Sequence, residues 1–225
     1  MNPLKLLRDS FIHSLPIYPL LLLLNIPEFL LTNFLILDLS TWFKYPFLVI
    51  AVFFANFLLG IWIWGASLLY IYYYILEQKV SIATALKNTI SKIEQLILGS
   101  LMTFGVCLIG FILFIIPGIY MLVKLIFFPC AIVIENRTAK EAIHRSSNLV
   151  RGHWLSVFLA IVVNILVFSY FPIDLSSQII VQLFPTREYA YAEMIGRILG
   201  FLVSPLNEVY NVLLFMRLRY LSSAI

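Results

Sequence analysis

The chain has 225 residues, of which 62% are hydrophobic and only 12% charged, with a formal net charge of +4. A water-soluble domain carries about half apolar and a quarter charged residues, so this composition excludes one and leaves an integral membrane protein. The basic excess lies in short segments beside long apolar runs, which excludes a nucleic-acid surface and suits helix orientation and contact with anionic lipid.

In chain order the sequence predicts an all-α, polytopic membrane protein, a single domain over residues 1–225. Its six spans cover residues 12–37, 47–76, 96–116, 119–134, 154–171 and 191–215. A bilayer core needs about 20 residues per helix, and the fourth stretch is the shortest of the six. The first is preceded by Lys5 and Arg8, contains Pro16, Pro19 and Pro27, and lacks a small-x-small cleavage pattern. It therefore reads as an uncleaved span. Between the third and fourth, Pro117-Gly118 predicts the outer turn of a tight hairpin.

Charge placement sets the orientation. With the N-terminus in the cytoplasm, the inner segments carry Lys5, Arg8, Lys79, Lys87, Lys92, Arg137, Lys140, Arg145, Arg151, Arg217 and Arg219, and the outer ones only Lys44 and Arg187. This is the positive-inside pattern. It puts both termini in the cytoplasm and the protein in a bacterial cell (inner) membrane.

Two inner segments predict amphipathic helices resting on the membrane interface. In "RTAKEAIHRSSNLVRG", Thr138 and Glu141 form a capping box and Gly152 suits the position past the end. Ala139, Ala142, Ile143, Ser146, Leu149 and Val150 follow helical spacing, with Lys140, Arg145 and Arg151 on the remaining surface. In "SIATALKNTISKIEQ", Ser81 caps and Ile82, Ala85, Leu86, Ile90 and Ile93 oppose Lys87 and Lys92. Lys87, Lys92, Lys140, Arg145 and Arg151 are thus a candidate basic face for lipid headgroups. Aligning Ala85-Leu86 with Ala142-Ile143 gives an offset of 57 residues and suggests an internal repeat; two ordinary basic inner loops are the alternative. Between Pro172 and Pro185, Leu175, Ile179, Ile180 and Leu183 are spaced for a short outer helix.

The stretch "IIPGIYMLVKLIFFPCAIVIENRTAKEAIHRSSNLVRGHW" carries Pro117, Gly118, Ile119, Lys124, Pro129, Glu135, Ala142, Ile143, Arg145, Ser146, Leu149 and Gly152. In that order it resembles the membrane domain fused to some bacterial glycerophosphoryl diester phosphodiesterases, and that domain's stand-alone relatives. The last span, "SPLNEVYNVLLFMRLR", is similar to the family's closing helix, ending on Arg219, with Arg217 where the family often has an acidic residue. The resemblance implies a helical membrane domain. It carries no phosphodiesterase activity, which in the fused proteins belongs to a soluble barrel.

No motif supports catalysis. His13, His144 and His153 are scattered, and there is no HExxH, GxSxG or glycine-rich phosphate loop. Cys107 and Cys130 lie inside apolar runs, so no disulfide framework or metal site is expected. The protein reads as a non-enzyme without cofactor.

Ionisable groups within spans are informative because a lone charge in hydrocarbon costs several kcal/mol. They are Glu28, Lys124, Glu193, Arg197 and Glu208. Glu193 and Arg197 are spaced to pair with each other, and Glu28 sits near an outer end. Lys124 and Glu208 share a depth, with Asn164, Asn207 and Asn211 as polar candidates nearby. Two readings of Lys124 stay open: it pairs with Glu208, directly or through Asn164, or it snorkels outward along its stem.

Two functions follow. The favoured one is a non-catalytic protein that organises membrane lipid, or a membrane partner or second copy, through its basic interfacial helices. The alternative is a small transporter or permease-like protein with a polar intramembrane site. A water-accessible cavity reaching the buried charges discriminates between them.

Overall fold

The computed structural model describes residues 2–37, 46–170 and 188–223, all helical apart from short connections. The protein is an all-α polytopic membrane protein. Four helical segments are long and apolar enough to cross a bilayer, Val49–Ile75, Ile93–Leu113, Ile115–Val133 and Met194–Ser222, and two bent helix pairs raise the number to six. The expected outer helix between Pro172 and Pro185, Lys44, Arg187 and the Glu193 side chain lie outside the described residues.

The first predicted span is two helices. α1 (Pro3–Ser14) starts where Asn2 accepts from the amides of Leu4 and Lys5 at 3.0 and 3.4 Å, with proline at its first position. α2 (Tyr18–Leu37) runs at 90° to it. Pro16, just past the end of α1, and Pro19, in the first turn of α2, flank the break, and neither has an N–H to carry a helix through it. α1 buries Leu6, Ser10 and Ser14 while exposing Leu4, Phe11 and Ile12, the surface of a helix lying across the bundle. It is a third amphipathic helix that the continuous apolar reading of residues 12–37 concealed.

α3 (Pro46–Ile75) matches its expected span. α4 (Ile82–Ile90) leads into α5 (Ile93–Leu113), whose Leu101, Phe104, Ile109 and Ile112 are exposed, as on a lipid-facing helix at the periphery. The hairpin turns at Phe114, which is extended, and not at Pro117-Gly118. Those two lie in the first turn of α6 (Ile115–Leu125), where a missing proline N–H costs nothing because the first amides have no intrahelical acceptor. Gly118 serves close packing: a Cβ on the facing Gly110 would stand 3.0 Å from the Gly118 Cα.

α6 breaks at Ile126-Phe127 and continues as α7 (Phe128–Val133), with Pro129 in the first turn. α8 (Ala139–Val150) holds this break together. Ser146 Oγ accepts from the Phe127 amide at 3.1 Å and donates to the Lys124 carbonyl at 2.8 Å. The apolar face of α8 is therefore covered by protein, not lipid: Ala139, Ala142, Ser146, Leu149 and Val150 are all buried. Gly152, at φ +83, turns the chain by 101° into α9 (Trp154–Ile165) and its π-helical continuation Leu166–Tyr170.

α10 (Glu188–Ser223) is the central post. Val209, Tyr210, Val212, Leu214, Phe215 and Leu218 are almost fully buried, and the Tyr210 hydroxyl donates to the Ala160 carbonyl at 2.9 Å. Toward its C-terminal end Arg217 meets Asp9 of α1 at 2.6 Å.

The suggested repeat has structural counterparts. The caps Ser81 and Thr138 keep the 57-residue offset of Ala85 and Ala142, and both alanines are fully buried in one cluster around Phe128, Ala131 and Ile132.

Candidate functional site

The bundle holds a polar cavity of about 380 Å³ between α2, α3 and α10. α2 contributes Asn25, Glu28 and Thr32, and α10 contributes Ser204, Asn207, Glu208 and Asn211, with Trp64 of α3 and Phe29 and Phe201 completing the wall. The helical period explains the set, since 25, 28, 29 and 32 fall on one face of α2, as 200, 201, 204, 207, 208 and 211 do on α10.

Glu208 is buried, 8% exposed. Its Oε1 accepts from Asn25 Nδ2 at 3.3 Å, while Asn25 also donates to the Leu21 carbonyl at 2.9 Å. Its Oε2 has no hydrogen-bond partner among the described residues. Ser67 faces the same carboxylate, yet its Oγ is also outside bonding geometry. Asn211 Nδ2 donates to Asn207 Oδ1 at 3.0 Å, and Thr32 to Asn56 Oδ1 at 3.3 Å. The Glu28 carboxylate leans on Gly60, where a Cβ would meet Oε1 at 2.8 Å. No lysine, arginine or histidine lines the cavity among the described residues.

Both helices that supply the carboxylates carry an internal proline at this level, Pro27 in α2 and Pro205 in α10. Each removes one intrahelical donor. In α10 the Ser204 hydroxyl replaces it by donating to the Phe201 carbonyl at 2.9 Å. One turn toward the other end, Arg197 donates to Asn33 Oδ1 at 3.5 Å.

The structure does not bring Lys124 and Glu208 together. Lys124 Nζ lies over the Tyr120 ring, 5.1 Å from its centroid, and Tyr120 packs against Trp154. Glu208 instead turns toward α2. Spacing along each span carries no information on the azimuth at which a side chain leaves its helix. Asn164 is buried with its Nδ2 unbonded among the described residues, and bridges neither group to the other.

The proposed basic face is also divided. Arg145 forms a two-point ion pair with Glu135 at 3.0 and 3.2 Å, and Arg137 and Arg219 approach the same carboxylate at 3.7 and 3.6 Å. Lys92 donates to the Val133 carbonyl at 2.8 Å, and burial pulls its ammonium below the ordinary lysine value. Only Lys87, Lys140 and Arg151 of the five remain exposed. The capping box at Thr138 and Glu141 is formed; the Thr138 amide donates to Glu141 at 3.1 Å and holds that carboxyl below its usual range.

The Domain of unknown function (DUF7847) matches residues 31–217, which takes in α3 through most of α10; of the α2 wall of the cavity it includes Thr32 and leaves Asn25, Glu28 and Phe29 outside. The chain belongs to the DUF7847 family. Membership lends no support to the resemblance drawn from Pro117 to Gly152 with glycerophosphoryl diester phosphodiesterase membrane domains. No curated protein and no solved structure matches the chain. In this DUF7847 chain, Glu135, Arg145 and Ser146, three residues of that resemblance, are fold-forming groups that pin α8 against the α6–α7 break.

Proposed function

We propose that this DUF7847 protein is a small transporter or permease-like protein whose polar site is the cavity between α2, α3 and α10. One observation carries the reading: Glu28, Glu208 and three asparagines converge on a space of about 380 Å³ within the spans, with a buried carboxylate oxygen left unbonded. A structural polar group in hydrocarbon is normally fully paired, because an unsatisfied one costs several kcal/mol. α2 and α10 run unbroken through Pro27 and Pro205, and each proline removes one intrahelical donor beside the cavity. In this reading the protein crosses a bacterial cell membrane six times with both termini in the cytoplasm, supported by eleven inner basic residues against Lys44 and Arg187 outside. No catalytic role is assigned.

Lipid organisation is retained as an accessory reading. Lys87, Lys140 and Arg151 are exposed on or beside α4 and α8, and each such residue contributes about 1 kcal/mol to contact with an anionic leaflet.

The test is water access. Ser204→Cys and Thr32→Cys, in a Cys107→Ser/Cys130→Ala background, are treated with a membrane-impermeant thiol reagent in vesicles of both orientations. Transport predicts modification from both faces. Cysteines that react from neither face remove the reading.

A further inference from the structure

Glu28 and Trp64 belong to two cavities at once. Besides the polar one, they line a neighbouring space of about 760 Å³ walled by Phe53, Phe54, Phe57 and Ile50 of α3. Those α3 residues are largely exposed, so this second space lies on the lipid-facing flank of the bundle. The two spaces together have an apolar, aromatic half open toward lipid and a polar half that ends on Glu208.

We infer that the paired cavities bind an amphiphilic organic cation, with its apolar body against the α3 phenylalanines and its ammonium head between Glu28 and Glu208. This rests on the reading of the polar cavity as a ligand site and names the chemistry of the ligand. Three features select that class. The walls carry two carboxylates and, among the described residues, no lysine, arginine or histidine, so an anionic head is repelled. Glu208 forms part of the polar wall, and its carboxylate has one hydrogen bond, from Asn25, with Oε2 buried and unbonded among the described residues, so its charge is poorly compensated by the protein. Trp64, Phe29 and Phe201 surround the same space, with the two phenylalanine rings 4.4 Å apart, and aromatic faces stabilise alkylammonium groups that are stripped of water. Arg197, the cation nearest along α10, donates to Asn33 and is not part of either wall. A bare metal ion is a poorer fit, because no group of three or more acidic, histidine or cysteine ligands forms among the described residues.

The experiment uses the full chain in lipid nanodiscs, titrated calorimetrically with benzyltrimethylammonium, its neutral carbon isostere neopentylbenzene, benzylsulfonate and glycerol. The expected result is saturable binding of the cation alone, weakened at least tenfold by Glu208→Gln and by Glu28→Gln. Glutamine keeps the acceptor for Asn25, so both variants preserve the shape of the site. Equal or tighter binding of benzylsulfonate or of the neutral isostere overturns the inference, as does cation affinity within twofold of wild type in both variants. Glycerol binding that is abolished by Asn207→Leu, with no cation binding, overturns the ligand class while leaving the cavity a site. No binding of any probe removes both.

Discussion

Arg145 grips Glu135 through two parallel bonds, Nε to Oε2 at 3.0 Å and Nη2 to Oε1 at 3.2 Å. Glu135 is nearly buried at the end of α7, and the pair joins that end to α8. Arg219 approaches from α10 at 3.6 Å, so one carboxylate ties together α8, α10 and the end of α7. Removing one partner of such a pair strands the other. Glu135→Ala should therefore lower stability by about 3 kcal/mol, seen as a lower thermal midpoint in detergent. Lys140→Ala, on the exposed side of the same helix, should change it by less than about 0.5 kcal/mol. Equal effects would mean the cluster is no more than a solvated surface.

Close packing at the α5–α6 hairpin makes a second contrast. At Gly110 an added Cβ meets the Gly118 backbone at 3.0 Å, and at Gly118 it meets the Phe111 ring at 2.4 Å. Backbone cannot swing aside as a side-chain tip can. Gly110→Val should therefore cost about 1–3 kcal/mol through overpacking. Gly105 on the same helix has nothing within 4 Å of its Cβ position, so Gly105→Ala should be neutral or stabilising by up to about 1 kcal/mol. Thermal midpoints of the two variants check the difference.

The cap of α8 predicts a pH effect. The Thr138 amide, then its hydroxyl, then Arg137, hold the Glu141 carboxyl below its ordinary value of 4.5. A depressed folded pKa means the contribution is complete above the ordinary value and is lost as pH falls through the lowered one. Protection factors for the amides of the first α8 turn should hold from neutral pH to below 4.5, then drop. In Glu141→Gln, which has no titrating carboxyl to accept from the Thr138 amide, the drop should be absent. An unchanged profile would show that the bond in the capping box does not set the titration.

Composition and charge placement made the fold class and most helix positions legible, because bilayer crossing imposes a length and an apolarity that survive in the raw sequence. α3 was bounded to within one residue at each end. Breaks between helices were harder to read. Apolar residues continue through Pro16 and through Phe114, so hydropathy does not mark those turns, and the two conspicuous breakers Pro117 and Gly118 sit inside a helix. The cavity is partly legible in the sequence: Glu28, Glu208, Asn207 and Asn211 stand out as polar groups in apolar spans. Their convergence depended on which face of α10 meets α2, and helical spacing within one segment carries no information about its neighbour. Arg145 was misread for the same reason, since its partner Glu135 lies in a different segment.

A buried acid with a poor hydrogen-bond set is a weak contributor to folding and a strong one to binding. Glu208 has one long bond, from Asn25, which retains its second bond to Leu21. Glu208→Leu should leave the thermal midpoint unchanged or raise it, as is common when a functional group is replaced by one that suits the fold, while removing the binding of benzyltrimethylammonium. A large loss of stability instead would assign the carboxylate to the fold.

Lys124 and Glu208 test whether equal depth implies coupling. Lys124 is half-buried against Tyr120, a cation–π contact worth about 0.5–1 kcal/mol at an exposed site, and the carbonyl it carries is held by Ser146 whatever its side chain. Lys124→Met should therefore cost no more than about 1 kcal/mol. Because Glu208 bonds to Asn25 of α2 while Lys124 lies over Tyr120, the double variant Lys124→Met/Glu208→Leu should equal the sum of the singles within about 0.5 kcal/mol. A buried ion pair predicts the opposite: each single variant strands a charge, and the double variant recovers much of the loss. Thermal midpoints of the four proteins in one detergent decide between them, and recovery of more than about 1 kcal/mol in the double variant would restore the direct pairing that the structure replaces.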